Sequence, residues 1–227
     1  MHCSYAMLLD AGFLRYKLGT GRVPADASAI SAFTDQVAAL PCLIGMRLHR
    51  IYFYDARPLD AVATVPLSKQ SIHFGRSSIA SRNRRMHAEL SRQPFFALRF
   101  GELVHGGWRL KRGTLKAAGP RIEVGAEDLE PDIRQKGVDM RIGLDIASLT
   151  LKEQVKVIVL ISGDSDFIPA MKFARREGAQ LFLVTLGHGI KDEMREHADL
   201  VVDVLPRLAT VPSGPLDKPL YRPAAVR

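Results

Sequence analysis

Four aspartates, Asp10, Asp139, Asp164 and Asp166, are the side chains of this sequence best suited to act together. The run Val155–Phe167 (VKVIVLISGDSDF) is apolar and β-branched until it meets a glycine and two carboxylates, which reads as a buried strand delivering negative charge into a crevice. Asp10 stands in the same relation to Tyr5–Leu9, with Gly12 close behind, and Asp139 opens a helical pattern that feeds the Val155 strand. Carboxylates gathered within a few ångströms repel one another unless they are protonated or neutralised by cations. Hard oxygen donors without a His or Cys cluster suit Mg²⁺ or Mn²⁺ rather than zinc, and such ions can activate water and screen a phosphodiester. A plainer reading stands beside this one: Asp10, Asp139 and Asp166 are each placed to cap a helix or turn. The seven histidines are scattered, no Ser-His-Asp arrangement has comparable support, and Gly163 alone is too little for a dinucleotide fingerprint.

The elements that must carry these residues alternate between strand and helix. Tyr5–Leu9 is a strand, and Arg15–Pro24 is a loop or short helix. A helix starting at Asp26 or Ser28 puts Ile30, Phe33, Val37 and Leu40 on one face, and Leu48–Tyr54 is a second strand ending at Asp55. This order favours a parallel pair with a right-handed crossover. Periodicity fails from Ala56 to about Ser81, which predicts a long loop. Ser81–Gln93 is a candidate helix bearing Arg82, Arg84, Arg85 and Arg92; Phe95–Val104 and Trp108–Lys116 are two strands joined by a hairpin at His105-Gly106-Gly107. The acidic run from Glu127 to Asp132 is read as a solvated linker. A helix follows with Met140, Leu144, Ile146, Ala147 and Leu151 at helical spacing. After the Val155–Ile161 strand, Asp166 is the expected N-cap of a helix ending at Gly178. Leu181–Leu186 is a strand, Ile190–His197 a short helix and Leu200–Val204 a last strand; five prolines after residue 205 predict an extended tail.

At 227 residues the chain suits one domain with elaborations. The expected division is a domain over 1–205 with a basic insertion at about 57–125, then a Pro-rich tail over 206–227. Twelve Lys or Arg against two Glu lie between Lys69 and Arg121, so the net charge of +8 is concentrated there. A basic segment beside an acidic site points to a polyanion, with nucleic acid first. Lys136, Arg82, Arg84, Arg85, Arg109, Lys111 and Arg112 are the candidates for touching it; the bland alternative is a solvated basic face, with Phe95, Phe96, Phe100 and Trp108 as core. No apolar run approaches the roughly 20 residues that span a bilayer, so no membrane partner and a cytoplasmic location are expected. Cys3 and Cys42 have neither metal nor disulfide-framework spacing.

Leu8-Leu9-Asp10-Ala11-Gly12-Phe13-Leu14, Lys136-Gly137-Val138-Asp139 with Leu144-Asp145, Ser162-Gly163-Asp164-Ser165-Asp166-Phe167 and His197-Ala198-Asp199 together resemble the successive motifs of NYN-domain proteins, in the LabA-like (DUF88) branch of the PIN-like nuclease superfamily. The resemblance covers roughly residues 5–55 and 134–204. It implies an α/β fold, a PIN-like three-layer α/β/α sandwich with a mainly parallel central sheet, to which the basic helix and β-hairpin would be added. It also implies a divalent-metal-dependent ribonuclease in which Asp10, Asp139, Asp164 and Asp166 bind metal or act in catalysis. Asp145, about 120° round a helix from Asp139, ranks below them. Many NYN members have Asn three residues after the first Asp; here that residue is Phe13, which weakens the case for turnover more than that for metal binding.

The expectation is therefore phosphodiester hydrolysis of RNA, with DNA as the competing substrate, Mg²⁺ or Mn²⁺ as cofactor and a homo-oligomer compatible with the reading. Two alternatives stand: a catalytically weak or inactive PIN-like module that holds RNA or protein, and a Mg²⁺-dependent phosphohydrolase of small esters. The latter would need a second carboxylate just after Asp10, where Ala11-Gly12 stand.

Overall fold

The computed structural model describes residues 3–20, 23–116 and 123–203. Apolar alternation along β1 (Ser4–Asp10) sets the layering: Tyr5, Met7 and Leu9 bury on one face of the sheet, Ala6 and Leu8 on the other. The first face is covered by α1 (Ala11–Leu18), α2 (Ala27–Ala38) and, after β2 (Arg47–Ala56), the short antiparallel pair β3 (Val62–Thr64) and β4 (Ser71–His73), by α3 (Ser78–Leu90). The strand β5 (Phe96–Leu110) leads to α4 (Arg112–Lys116) and then to β6 (Leu129–Lys136). The second face is covered by α5 (Val138–Leu151), by α6 (Ile168–Arg176), which follows β7 (Val157–Ile161), and by Met194 of α7 (Asp192–Glu196), which lies between β8 (Gln180–Val184) and β9 (Leu200–Val202). The result is the expected α/β/α sandwich.

The central sheet runs β6-β5-β2-β1-β7-β8-β9, and every neighbouring pair is parallel except β5 with β6. β1 and β7 lie side by side at its centre, so their C-terminal ends reach the same edge, with Leu9 opposite Ile161. No helix among the described residues is long and apolar enough to cross a membrane.

Several local expectations are corrected. The loop or short helix expected over Arg15–Pro24 is a helix that starts earlier, at Ala11, and Asp10 caps it as the plainer reading had it, its side chain accepting from the backbone N–H of Gly12 and Phe13. The hairpin at His105-Gly106-Gly107 does not form: β5 runs straight through, and the glycines create only an irregularity in its pairing with β6, with Gly107 at φ +110. Lys111 onward is not strand, since Arg112–Lys116 is helical. The acidic run from Glu127 to Asp132 is no loose linker either, as its second half is strand; Pro131, which has no N–H to offer a ladder, is tolerated because β6 is the edge. The stretch Ala56–Ser81 holds β3, β4 and the first turn of α3 rather than a plain loop.

The helix α5 turns a different face inward than its most visible apolar spacing suggests. Val138, Ile142, Ile146 and Leu149 are buried, while Met140, Leu144 and Leu151 are exposed. Asp166 does not cap α6, whose N-cap is Phe167 without a side-chain bond; Asp164 instead caps the 3-10 turn Ser165–Phe167 before it, accepting from the N–H of Asp166. Gly178 closes that helix at φ +88, as expected of a left-handed C-terminal residue. The expected extended tail lies outside the described residues, as does Arg121 of the basic segment.

Candidate functional site

Parallel strands bring Asp10 and the β7 end together across 152 positions of sequence, and Ser162 joins them. Its Oγ donates to Asp10 Oδ2 at 3.1 Å and accepts from the Asp164 N–H at 3.2 Å. Asp10 Oδ1 meanwhile accepts from Gly12 N at 3.0 Å and Phe13 N at 3.3 Å. The carboxylate is thus held by three donors, two from the start of α1 and one from the residue that follows β7. Asp164 is fixed in turn by the N–H of Asp166 at 2.9 Å on its Oδ1. The cap and the candidate ligand are the same residues: capping orients the groups, and the crevice receives them.

Electrostatics show which carboxylates sense one another. Protein surrounds Asp10 on most sides, and this loss of water pushes its pKa up to about 6; the bonds from Phe13 and Ser162 pull the other way, and the charges of Asp139 and Asp164 push further up. Asp139, at the first turn of α5, is also raised, by partial desolvation first and then by Asp164 and Asp166. Asp10, Asp139 and Asp164 therefore lie within range of one another's charge at one edge of the sheet, and Asp166 within range of Asp139. Among the described residues no Lys or Arg is ion-paired with any of them.

Asp145 is engaged elsewhere. Its Oδ2 accepts from Tyr54 Oη at 2.9 Å and from Arg99 Nε at 3.0 Å, an arrangement that braces α5 against β2 and β5. Asp199 has a similar bracing role: Oδ2 accepts from the Leu181 N–H at 2.7 Å and Oδ1 from Arg175 Nε at 3.1 Å.

The donor set is all oxygen, with negative charge in excess, which fits a hard divalent cation. No group of three or more His, Cys, Asp or Glu among the described residues converges tightly enough to cage an ion. Mg²⁺ commonly keeps several waters and takes only one or two carboxylates, so a hydrated ion would ask less of these residues than a closed structural one.

His188, at this edge, was invisible to sequence reasoning. It lies in the turn after β8 and packs edge-on against Phe13 with ring centroids 5.6 Å apart. Desolvation lowers its pKa, with Lys17 adding to the effect. Gly163 runs under both rings: a Cβ there would overlap His188 Cδ2 and lie 2.8 Å from Phe13 Cε2. Phe13 is thus a wall of the site, and Lys17 stands 6.0 Å above its ring. Ser162 was visible only as part of a motif; its role follows from the β1–β7 pairing.

The candidate RNA contacts divide into two groups. Arg82, Arg84 and Arg85 are exposed on α3, and Arg85 pairs with Glu89 at 3.5 Å. Lys136 is exposed at the end of β6. Arg109 is paired with Glu130 at 2.9 Å, Lys111 Nζ donates to the Glu127 carbonyl, and Arg112 is exposed. The acidic run, now a strand beside β5, offsets part of the charge that the sequence assigns to one basic stretch.

Comparison with known proteins bears on the C-terminal half. Residues 105–205 match the NYN domain, a span that includes Asp139, Asp164 and Asp166 but not Asp10. An uncharacterized protein of Methanocaldococcus jannaschii is 26% identical over 106 residues, 46% of this chain and 43% of the archaeal protein, so the match spans less than half of that relative's length. A protein of unknown function from Vibrio parahaemolyticus, known from its crystal structure, aligns with a TM-score of 0.48 at 14% identity, covering 89% of this chain and 94% of that one.

Proposed function

We propose that this chain, whose residues 105–205 match the NYN domain, belongs to the PIN-like nuclease superfamily and is a divalent-metal-dependent ribonuclease acting within the RNA strand. The observation that carries the reading is the meeting of Asp10, Asp139 and Asp164 within electrostatic reach of one another, with burial and like charge holding Asp10 near pKa 6. Carboxylates left in that condition favour a cation.

Asp10 and Asp164 are the proposed ligands, since backbone and hydroxyl donors already fix their orientation. A Mg²⁺ or Mn²⁺ ion bound there would supply Lewis acidity toward water and a phosphate oxygen. Asp139 and Asp166, exposed at the rim, would hold a second cation or orient the attacking water and accept its proton at a carboxylate oxygen. Phe13 and His188 would wall the site against bulk water, and Arg82, Arg84, Arg85, Lys136 and Arg112 would draw in the phosphate backbone.

The decisive experiment incubates the protein with single-stranded and structured RNA and DNA in Mg²⁺, Mn²⁺ or chelator, beside Asp164→Asn. Metal-stimulated RNA cleavage that the variant lacks, with its fold intact by circular dichroism, is the expected result. Undiminished cleavage by Asp164→Asn would sink the mechanism.

Phe13 favours a second reading, a scaffold that binds RNA without efficient cleavage, because an aromatic ring occupies the place where many NYN members have an amide. Salt-sensitive RNA binding with no metal-stimulated cleavage, and cleavage gained in Phe13→Asn, would establish it. Small-ester hydrolysis has no comparable support, since Gly12 stands where a second carboxylate would be required.

A further inference from the structure

A cavity of about 490 Å³ lies on the opposite side of β2 from Asp145, between β5 and α3. Its volume is in the range of small-ligand sites. Asp55, buried at the end of β2, organises one wall. Its Oδ1 accepts from the Ala56 N–H at 2.8 Å; its Oδ2 faces His87 Nε2 at 2.8 Å and Arg15 Nη1 at 3.3 Å. The carboxylate fixes His87 Nε2 as the donor and orients the ring that lines the cavity.

Two arginines and an apolar wall complete it. Arg57 lies 4.8 Å over the Phe100 ring, and Arg84 donates to the Gly75 carbonyl with one nitrogen, its other N–H groups having no partner among the described residues. Neither has a carboxylate partner at ion-pair distance among the described residues. Asp60 also lines the cavity and can accept from a hydroxyl or an amine. Guanidinium pairs recognise phosphate, and aromatic walls receive a base. Each feature alone is common on surfaces; a histidine held by a buried carboxylate beside both is what marks a built site.

We propose that this cavity binds one nucleotide unit, its phosphate between Arg57 and Arg84 and its base against the wall of Phe96 and Leu98. For the strand to which that nucleotide belongs, the proposal rests on the ribonuclease reading. The topology suits it: Asp10 is paired with Tyr54, the residue before Asp55, and Arg15 reaches Asp55 from the helix that Asp10 caps. Adjacent strands are about 4.8 Å apart, so one strand of nucleic acid crossing the sheet edge can meet both places. The same chemistry would also take a free nucleotide.

The test is binding without cleavage. Full-length protein in chelator is titrated into fluorescently labelled short single-stranded RNA, and separately with adenosine 5′-monophosphate by calorimetry. Three proteins are compared: wild type, Arg57→Ala/Arg84→Ala, and Ala88→Trp, which fills the cavity from exposed α3 without altering charge. Both variants are expected to weaken binding about tenfold or more, at unchanged circular dichroism and melting temperature. Mononucleotide that displaces the labelled RNA assigns the unit to the strand; mononucleotide that binds in the cavity without displacing RNA assigns it to a free nucleotide, and either result supports the site. Binding unaffected by Ala88→Trp, or no binding of either probe, overturns the proposal. Because binding is read in chelator, absence of cleavage once Mg²⁺ or Mn²⁺ is supplied, with cavity binding retained, would refute the nuclease reading alone.

Discussion

Ser162 Oγ donates a hydrogen bond to Asp10 Oδ2 at 3.1 Å, joining the ends of the two central strands. This bond is one of two influences that hold the Asp10 pKa down against burial. Ser162→Ala removes it, so the Asp10 carboxyl moves above about 6. The acid limb of the pH–rate profile is expected to shift upward, with a larger loss of rate at pH 6 than at pH 8. A carboxyl titration followed by NMR checks the shift independently of turnover, and an unmoved titration would contradict the assignment.

Asp10 also sets a pH dependence of stability. Its folded pKa, about 6, lies above the unfolded value near 3.9, so the native state binds the proton more tightly. Stability from this group is highest when Asp10 is protonated, falls as pH rises from about 4 to about 6, and is level above. Asp10→Asn lacks that loss. In chelator its stability advantage over wild type is expected to be absent below pH 4 and to reach a plateau above pH 6, on the order of 1–3 kcal/mol. Calorimetric melts across that range measure it; added Mg²⁺ or Mn²⁺ should stabilise wild type alone.

The contact of Gly163 with two rings predicts a coupled pair of mutations. Gly163→Ala forces His188 and Phe13 aside. Its cost should shrink in a His188→Ala background, leaving the Phe13 contact, which must also yield. A double-mutant cycle of unfolding free energies is expected to give a coupling of about 0.5–2 kcal/mol; additive effects would mean that the two side chains do not compete for the same space.

Asp145 separates structural from chemical carboxylates. Asp145→Ala leaves the Tyr54 hydroxyl and the Arg99 guanidinium without their partner, at a cost of about 1–3 kcal/mol. RNA cleavage measured well below the melting temperature should persist. Loss of cleavage comparable to Asp164→Asn would place Asp145 in the chemistry instead.

The central architecture was legible because two different signals coincide there. Leu9 before Asp10 and Ile161 before Ser162 end unbroken apolar runs, and only a sheet covered on both faces produces such runs. On α5 the signal was degenerate: apolar residues occupy both faces, and Met140, Leu144 and Leu151 announce the wrong one. Gly106-Gly107 resembled a turn because glycine serves bulges and turns alike; only the partner strand decides, and that partner was hidden in an acidic run interrupted by Pro131. His188 is brought to the site by a turn in which Leu186 adopts φ +51, a conformation that side-chain type does not advertise. The Asp55, His87 and Arg15 contacts likewise join three elements and leave no local trace in the sequence.

The strand β5 has 15 residues against seven in β1. Its first part is bonded to β2; from Glu102 onward only β6 accompanies it, so the pair continues past the sheet edge as a two-stranded ribbon. Where ribbon and sheet meet, a Cβ on Gly101 would stand 2.5 Å from the Lys136 carbonyl and 2.7 Å from Val138 Cγ2, a fit that only glycine allows. That close contact ties the ribbon to the start of α5, so Asp139 takes its position from the outer side of the sheet, while Asp10 and Asp164 take theirs from its two central strands.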